Sequence, residues 1–453
     1  MKRIAIVGGG LAGVAAAYFL ARAKAEVEVV LYEASGRLGG IVETVREGGF
    51  VVECGPDGWV TEKPWALELA RELGLGEDVI WSLDEGRKTY VRLDGRLEAM
   101  PDGMRMMVPG DMEAVERSEL FSEGAKQAFR EEIGRAEELK AMAPEGDESV
   151  GAFVERHFGR EVLEKVAGPL LSGVFGGDVG KLSVRAVMPA FVAMEREFGS
   201  LILALKAKTR GEKRPIFTSL KGGVGMLVER MVAEIPAGWV RLGEEVKQVE
   251  KVPCGWVLGS SSGTEHFDAV LMAAPVDVAR RLLEPVDRRA AQLMEMEASS
   301  AVVVGFCFAD GFDLPPGFGF LVPQGQGSLL LACTFTDQKF AGRVPAGARQ
   351  VRAFFGAKAG ERLLACGNDE IASVARLELG RMLGRLPEPV LTVVRRWPRS
   401  LPQYAVGHLE RMAELNGRVK ALEGIWLLGN GYRGVGLPDL IRDAQAAVGE
   451  IVR

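Results

Sequence analysis

The chain of 453 residues is long enough for two or three domains. It is 47% hydrophobic and 26% charged, which allows a large core, and its formal net charge of −6 argues against a protein that binds nucleic acid, since such proteins usually present a basic face. Five scattered cysteines without a C-x-x-C pair predict reduced, buried thiols, and three widely separated histidines give no metal-binding pattern.

The N-terminus carries no pattern of a secretory signal before the first predicted strand, which begins by Ile4. No run of about 18 apolar residues occurs, which is the length that a membrane-spanning helix needs. We therefore expect a cytosolic protein; peripheral membrane contact and a homodimer are left open.

The first forty residues predict a strand, a glycine-rich turn and a helix. Residues 4–7 are an apolar run typical of a buried parallel strand, residues 8–13 read GGGLAG, and an alanine-rich helical segment follows. In a G-x-G-x-x-G turn the first glycine makes the bend, the second admits a pyrophosphate, and the third lets helix and strand pack closely. A second apolar strand, residues 27–32, ends at Glu33, whose carboxylate can accept hydrogen bonds from a ribose hydroxyl. This context predicts a dinucleotide site rather than a turn rich in glycine for packing alone.

The next stretch predicts a stiff turn, a helix and a hairpin. Residues 55–58 read GPDG, which is either an ordinary loop or a close approach to the cofactor. The helix lies within residues 64–74, between a proline suited to a first turn and a glycine that stops it. Residues 88–93 and 96–100 alternate in polarity around Asp-Gly, which predicts a β-hairpin.

A helical insertion is predicted over residues 112–205, because charged helix-forming stretches dominate there and β-branched runs are few. Within it, residues 169–178 combine several glycines with a proline, so we predict a loop rather than a helix, either a plain turn or the wall of a ligand site. A helix is expected to resume over residues 195–205.

The chain after the helical insertion predicts a further part of the dinucleotide domain and a second sheet. The segment from residue 301 to 355 is rich in β-branched and aromatic residues and predicts an antiparallel sheet that covers a substrate, with strands at 301–308, 318–322, 328–335 and 351–355. At the C-terminus, a strand at 425–428 leads into four glycines within residues 429–436 and then a helix. The N-terminus of that helix, aimed at the cofactor, would stabilise negative charge.

Several stretches carry a family resemblance. Residues 34–40, ASGRLGG, resemble the extension of FAD enzymes of the amine oxidase and protoporphyrinogen oxidase superfamily, in which the arginine and the glycine doublet continue along the pyrophosphate. The most specific stretches are RWPR at 396–399, LPQY at 401–404, GHLE at 407–410 and GNGYRGVG at 429–436. With these the chain resembles the bacterial FAD-dependent porphyrinogen oxidases of haem synthesis, which act on coproporphyrinogen III or protoporphyrinogen IX.

The resemblance implies an α/β protein with a Rossmann-type FAD-binding domain, a helical insertion and an antiparallel-sheet substrate domain. Three FAD-binding parts are expected at residues 1–85, 206–275 and 406–453, the hairpin with the helical insertion at 86–205, and the substrate-binding sheet at 276–405. The implied activity removes six electrons from a porphyrinogen in three two-electron steps, with dioxygen as acceptor and hydrogen peroxide as product. Porphyrinogen and dioxygen are thus the implied partners, and FAD is the cofactor.

Site residues follow from the resemblance by position. The FAD contacts are expected at Gly8, Gly9, Gly10, Leu11, Ala12, Gly13, Glu33, Ala34, Arg37, Gly40, Gly55, Pro56, Asp57, Gly58, Val246, Val435, Gly436 and Leu437. Substrate contacts are expected at Lys88, Gly173, Gly176, Leu321 and Phe335, where the last two are equally well explained as core residues. No catalytic side chain and no metal are expected, since the flavin carries the redox chemistry.

One departure bears on the substrate. Protoporphyrinogen-oxidising members often carry an arginine that pairs with a propionate at the position of Thr89, which here follows Arg87 and Lys88. This, with residues 101–109, favours coproporphyrinogen III; protoporphyrinogen IX is the alternative. A phytoene-desaturase-like or amine-oxidising flavoenzyme and a flavin-binding protein without turnover also stay open.

Overall fold

The computed structural model describes residues 1–23, 26–208 and 215–452. The chain forms two compact units. The first unit comprises Met1–Trp81, Ile216–Glu297 and Leu409–Arg453, and the second comprises Ser82–Pro215 and Ala298–His408. The first unit thus collects three separate parts of the chain, and the functions assigned above to each part stay predictions.

The described residues contain strands in both units. In chain order they are β1 (Lys2–Val7), β2 (Val27–Glu33), β3 (Thr44–Glu47), β4 (Phe50–Glu53), β5 (Trp59–Val60), β6 (Val79–Trp81), β7 (Thr89–Leu93), β8 (Arg96–Ala99), β9 (Met104–Arg105), β10 (Val108–Pro109), β11 (Phe217–Leu220), β12 (Val240–Leu242), β13 (Val246–Val252), β14 (Gly255–Ser260), β15 (Gly263–Phe267), β16 (Ala269–Met272), β17 (Ala298–Phe308), β18 (Gly319–Leu321), β19 (Ala332–Phe335), β20 (Arg349–Phe355), β21 (Leu391–Pro402) and β22 (Ile425–Leu427).

The α-helices are, in the same order, α1 (Leu11–Arg22), α2 (Trp65–Glu72), α3 (Met112–Arg117), α4 (Glu123–Gly134), α5 (Ala136–Met142), α6 (Val150–Val162), α7 (Gly168–Phe175), α8 (Val184–Val187), α9 (Pro189–Phe198), α10 (Leu201–Lys208), α11 (Gly225–Glu234), α12 (Val276–Leu283), α13 (Arg288–Leu293), α14 (Thr336–Lys339), α15 (Ala357–Leu363), α16 (Asn368–Leu383), α17 (His408–Ala421) and α18 (Leu437–Ile451). One π-helical turn, Leu163–Ala167, joins α6 to α7.

A five-stranded parallel sheet organises the first unit, with the order β12-β2-β1-β16-β22. Successive residues of β1 belong to two different hydrophobic clusters. Ile4 and Ile6 pack with residues of α1, α11 and α18, whereas Ala5 and Val7 pack with residues of β13, β14 and α12. Both faces of the sheet are therefore covered, which explains why these strands are apolar throughout rather than alternating. The Rossmann-type α/β architecture predicted from the sequence is confirmed.

A seven-stranded sheet organises the second unit, with the order β21-β17-β20-β19-β18-β7-β8. Its strand pairs are antiparallel except for β18 with β7, which run parallel. The predicted hairpin is present, since β7 and β8 pair through Leu93 and Arg96 around Asp94 and Gly95. The hairpin also supplies an edge to this sheet. The helices of residues 112–208 form a separate apolar cluster.

The loop predicted at residues 169–178 is wrong for residues 169–175, which are helical. α7 continues through Gly173 to Phe175 and is capped by Gly176, whose φ of +68° is the left-handed conformation that glycine adopts most easily. The carbonyl groups at this end have partners: Gln403 Nε2 donates to Phe175 O at 2.8 Å, and Ser299 Oγ donates to Gly176 O at 2.6 Å. Tertiary contacts therefore stabilise a helix that propensity alone disfavours.

Three smaller expectations also need correction. The helix expected over residues 195–205 is broken at Gly199, where an added Cβ would lie 1.8 Å from Ala136 O. The strand expected over residues 328–335 begins only at Ala332. Of the cysteines expected to be buried, Cys254 is exposed and Cys366 is half-buried; all five are free thiols.

A buried charge cluster ties the helical cluster together. His157 Nδ1 lies 3.1 Å from Glu132 Oε1, and its Nε2 lies 3.0 Å from Glu195 Oε1. A ring with both nitrogens protonated donates to both carboxylates at once, so this geometry favours the imidazolium form. Burial lowers the pKa of His157, but the hydrogen bonds and charges of the two carboxylates outweigh it, and the pKa is raised above its ordinary value.

The first prediction concerns the pH dependence of this cluster. A raised folded-state pKa contributes stability that is complete below the unfolded-state pKa of about 6.5 and is lost as the pH rises through the folded-state value. We expect His157→Gln to lower the free energy of unfolding by about 3 kcal/mol near about pH 6, and by less at higher pH. Urea unfolding followed by circular dichroism across this range measures the difference.

The exposed His266 supplies the control, because His266→Gln removes an imidazole without touching the cluster. A loss of stability in His157→Gln that stays constant with pH would contradict the imidazolium assignment.

Candidate cofactor site

The turn between β1 and α1 permits very close packing. Gly8 has φ of +107°, and an added Cβ would lie 2.6 Å from Ala273 O, at the end of the neighbouring strand β16. An added Cβ at Gly13 would lie 1.9 Å from Gly8 O. Side chains at these two positions would push α1 away from the sheet, so both glycines set the distance between helix and strand.

The second glycine of the motif faces open space instead. Gly10 is the N-cap of α1, it provides no side-chain cap for the first amides, and an added Cβ would meet no atom within 4 Å. Leu11 and Ala12, which start the helix, are buried. A helix N-terminus with uncapped amides beside open space fits an anionic pyrophosphate.

The segment after β2 packs directly on this turn. Gly39 N donates to Gly9 O at 2.8 Å, and an added Cβ at Gly40 would lie 3.1 Å from Gly10 Cα. The Arg37 guanidinium donates to Leu38 O and Gly40 O, so it holds the backbone of its own segment. Its predicted contact with the pyrophosphate stays a prediction.

Glu33 is held at the end of β2 by two amides. Its Oε2 accepts from Gly9 N at 2.7 Å, and its Oε1 accepts from Ser35 N at 2.8 Å. The carboxylate is therefore fixed beside the turn, and each oxygen keeps further capacity to accept a hydrogen bond from a ribose hydroxyl. Ala34, between Glu33 and Ser35, is exposed.

The turn of residues 55–58 is fixed from two sides. An added Cβ at Gly55 would lie 2.0 Å from Ile41 O, just beyond Gly40. Ser219 Oγ donates to Asp57 O at 2.6 Å, and Pro56 and Gly58 are half-buried. The structure thus brings this turn next to the segment that packs on the first glycine turn, although the two are separated in sequence. Ser219 was not predicted as part of the site.

The remaining predicted cofactor residues lie in two other parts of the first unit. Gly436 is the N-cap of α18 and has no side-chain cap, Leu437 begins the helix and is buried, and Val435 is half-buried. Val246 begins β13, and its side chain belongs to a core cluster. Its predicted contact with adenine would use the backbone only.

The predicted substrate residues all lie in the second unit. Leu321 lies on β18 opposite Val91 of β7, whereas Lys88 directly precedes β7 and its carbonyl oxygen accepts from Phe318 N at 2.8 Å. Phe335 is on the adjacent strand β19 but is fully buried against Phe320, which favours its interpretation as a core residue. The roles of all five residues stay predictions.

The other two are Gly173, which lies in α7, and Gly176, which caps that helix; α7 contacts β18. Gly173 is exposed, and Gly176 packs against Leu401 and Ser299.

The described parts of the chain contain no group of three or more His, Cys, Asp or Glu side chains placed to hold a metal ion. Their helices include none that is both long enough and apolar enough to cross a membrane.

The fold and the site together define a class of protein. A parallel sheet with a glycine turn after its central strand, an acid at the end of the next strand and an uncapped helix N-terminus is the arrangement of dinucleotide-binding enzymes. The family model of the flavin containing amine oxidoreductases matches residues 11–451, and the chain belongs to that family.

Similar proteins cover the whole chain. It is 32% identical to the coproporphyrinogen III oxidase of Bacillus subtilis, over 99% of this chain and 97% of that protein. It is 27% identical to the chloroplastic protoporphyrinogen oxidase of Oryza sativa, over 98% and 87%. A crystal structure from Exiguobacterium sp. 255-15, provisionally named a protoporphyrinogen oxidase, superposes with a TM-score of 0.88 at 30% identity, over 100% and 98%.

The chain is therefore an FAD-dependent oxidoreductase, as the sequence predicts. The residues around the first glycine turn fit the cofactor: the space beside Gly10 is open, the amides of α1 are uncapped, and Glu33 is fixed at the end of β2.

The second prediction tests this site through Gly10. Since an added Cβ meets no protein atom there, Gly10→Val should fold normally, yet its side chain would occupy the space of the pyrophosphate. We expect purified Gly10→Val to retain less than about a tenth of the wild-type flavin, as measured by visible absorbance, with an unchanged far-ultraviolet circular dichroism spectrum.

Gly449→Val is the matched control. An added Cβ at Gly449 also meets no atom, but this position lies near the far end of α18. Full flavin occupancy in Gly10→Val would show that the pyrophosphate does not bind at this turn.

Proposed function

We propose that the chain catalyses the oxygen-dependent oxidation of a porphyrinogen in haem biosynthesis, with coproporphyrinogen III preferred to protoporphyrinogen IX. The observation that carries this proposal is the similarity to the Bacillus subtilis coproporphyrinogen III oxidase, which extends over 99% of the chain. Similarity over the whole length includes the second unit, where the predicted substrate residues lie.

The preference rests on the charges around β7. Coproporphyrinogen carries four carboxylates and protoporphyrinogen carries two, and a buried carboxylate without a partner is costly. Lys88 and Arg87 are half-buried, and among the described residues neither cationic group has a hydrogen-bonding or ion-pairing partner. Thr89, which begins β7, cannot supply the bidentate clamp that an arginine would offer to a single propionate. Two adjacent available cations suit a substrate with more propionates.

The protein's own contribution is binding and orientation. The residues of the glycine turns would hold FAD, which would supply two-electron redox chemistry with dioxygen as the final acceptor and hydrogen peroxide as the product. Six electrons leave the substrate in three such steps, so three dioxygen molecules are consumed. The glycine turns hold the cofactor, the cations near β7 orient the propionates, and no acid–base side chain is needed.

Direct assays distinguish the proposed activity from the alternative functions. Protoporphyrinogen IX as the preferred substrate has support from the rice relative, and amine oxidation has support from the family description alone. A flavin-binding protein without turnover would be yellow but would form no peroxide with any porphyrinogen. A cytosolic location, a homodimer and peripheral membrane contact remain predictions.

The third prediction compares the two substrates. We expect kcat/KM to be higher for coproporphyrinogen III than for protoporphyrinogen IX, because the available cations match the larger number of propionates. Parallel assays of peroxide formation and porphyrin fluorescence on the same preparation measure the ratio. Equal or higher efficiency on protoporphyrinogen IX would reverse the preference and leave the flavoenzyme assignment intact.

The fourth prediction concerns Lys88. We expect Lys88→Ala to raise KM for coproporphyrinogen III by about tenfold, equivalent to roughly 1.4 kcal/mol, with a smaller effect on kcat, as lost ground-state binding predicts.

Arg96→Ala is its control, since Arg96 is an exposed cation on the other strand of the same hairpin and has no side-chain partner among the described residues. Equal effects of the two substitutions would indicate a general loss of positive charge rather than a propionate contact.

A further inference from the structure

An ion pair joins two parts of the first unit that are remote in sequence. Lys63 precedes α2 and follows the turn of residues 55–58, whereas Asp439 is in the first turn of α18. Lys63 Nζ lies 2.5 Å from Asp439 Oδ2, across a sequence separation of 376 residues. The Asp439 side chain is 4% exposed and that of Lys63 is 42% exposed, so a nearly buried carboxylate is held by a cation that reaches the surface.

A second cation completes the environment of this carboxylate. Arg442 Nη1 lies 3.2 Å from Asp439 Oδ1, so each carboxylate oxygen has a cationic partner. The Arg442 guanidinium also lies over the ring of Trp65, 5.0 Å from its centroid, and contacts Asp443 at 2.9 Å. Because Trp65 begins α2, the start of α2 and the start of α18 are connected twice, through Lys63 and through Trp65.

The glycine turn before α18 rests on the same carboxylate. An added Cβ at Gly434 would lie 2.7 Å from Asp439 Cγ, and one at Gly436 would lie 3.1 Å from Asp439 Oδ2. The absence of side chains at these two positions therefore lets the backbone of the turn contact the carboxylate directly. A shift of Asp439 would move the turn with it.

We propose that Asp439 is a positioning residue for the cofactor. Through Lys63 and Arg442 it fixes the turn of residues 55–58 relative to the turn of residues 429–436. This proposal rests on the cofactor site proposed for those two turns. Asp439 acts through the backbone and does not contact the cofactor, and Lys63 transmits its position to the first of the two turns.

The physical reason is the cost of separating this group of charges. Removing the buried carboxylate of Asp439 leaves Lys63 and Arg442 without their shared partner. Removing the Lys63 amine leaves Asp439 with Arg442 as its cationic partner, and Arg442 also pairs with Asp443. Either change frees the turns to move apart. We therefore expect Asp439→Asn and Lys63→Met each to raise the Kd for FAD by about tenfold.

The test measures FAD binding to apoprotein rather than turnover. Each apoprotein is titrated with FAD and followed by flavin fluorescence, the visible circular dichroism of the bound flavin is recorded, and the melting temperature of the apoprotein is measured in parallel. We expect the double variant to bind FAD no more weakly than the weaker single variant, because both substitutions break one connection. Altered visible circular dichroism reports a displaced flavin, which a loss of stability alone would not produce.

Two further variants sharpen the interpretation. Lys63→Arg keeps a cation that can reach Asp439 and should retain the wild-type Kd. Asp443→Asn removes the other carboxylate bound by Arg442. Asp443 lies one helical turn further along α18 than Asp439, and this variant should also retain the wild-type Kd.

Wild-type Kd in both Asp439→Asn and Lys63→Met would overturn the positioning role. The role would also be overturned if the two substitutions had strictly additive effects on the Kd for FAD, these effects followed the melting temperature, and the visible circular dichroism of the bound flavin stayed unchanged. If Gly10→Val keeps its flavin, the cofactor site itself is wrong, whereas failure of the Asp439 and Lys63 variants alone leaves that site standing.

Discussion

The close approach of α1 to β1 is the constraint on which the first unit depends. The Gly13 backbone passes so near Gly8 O that an added Cβ would lie 1.9 Å away, and an added Cβ at Gly8 would lie 2.6 Å from Ala273 O, just after β16. Since β1 is the central strand of the parallel sheet, this contact brings the helix N-terminus to the edge where β2 and β16 also end. Glu33, at the end of β2, is consequently within hydrogen-bonding distance of the same turn.

The second unit is organised differently. Its mainly antiparallel sheet includes one parallel pair, β7 with β18, and this pairing brings Lys88, just before β7, beside Phe318. The helices of this unit carry buried charge instead, and His157 between two carboxylates shows how such charge is tolerated when every donor has an acceptor. The predicted cofactor residues and the predicted substrate residues thus lie in units of different architecture.

The errors of the sequence predictions have a common physical cause. Gly173 weakens an isolated helix, but α7 extends an existing helix through a π-helical turn and is ended by Gly176, with side chains of distant residues binding its last carbonyl groups. At Gly199 the opposite occurs, since a favourable helical stretch is broken because the backbone must pass close to Ala136. In both places tertiary contacts outweigh local propensity.

The sequence by itself determined the elements whose signals are short in range: the first strand, turn and helix, the Asp-Gly hairpin, and the glycine run before α18. Their spacing of a few residues reflects local backbone geometry, which the amino-acid order encodes directly. The family resemblance added the cofactor in the same way, through contiguous motifs. Only the tertiary structure decided the pairing of β7 with β18, the carboxylates around His157, and the contact of Lys63 with Asp439 across 376 residues. No periodicity connects such partners, because their proximity depends on how the whole chain packs.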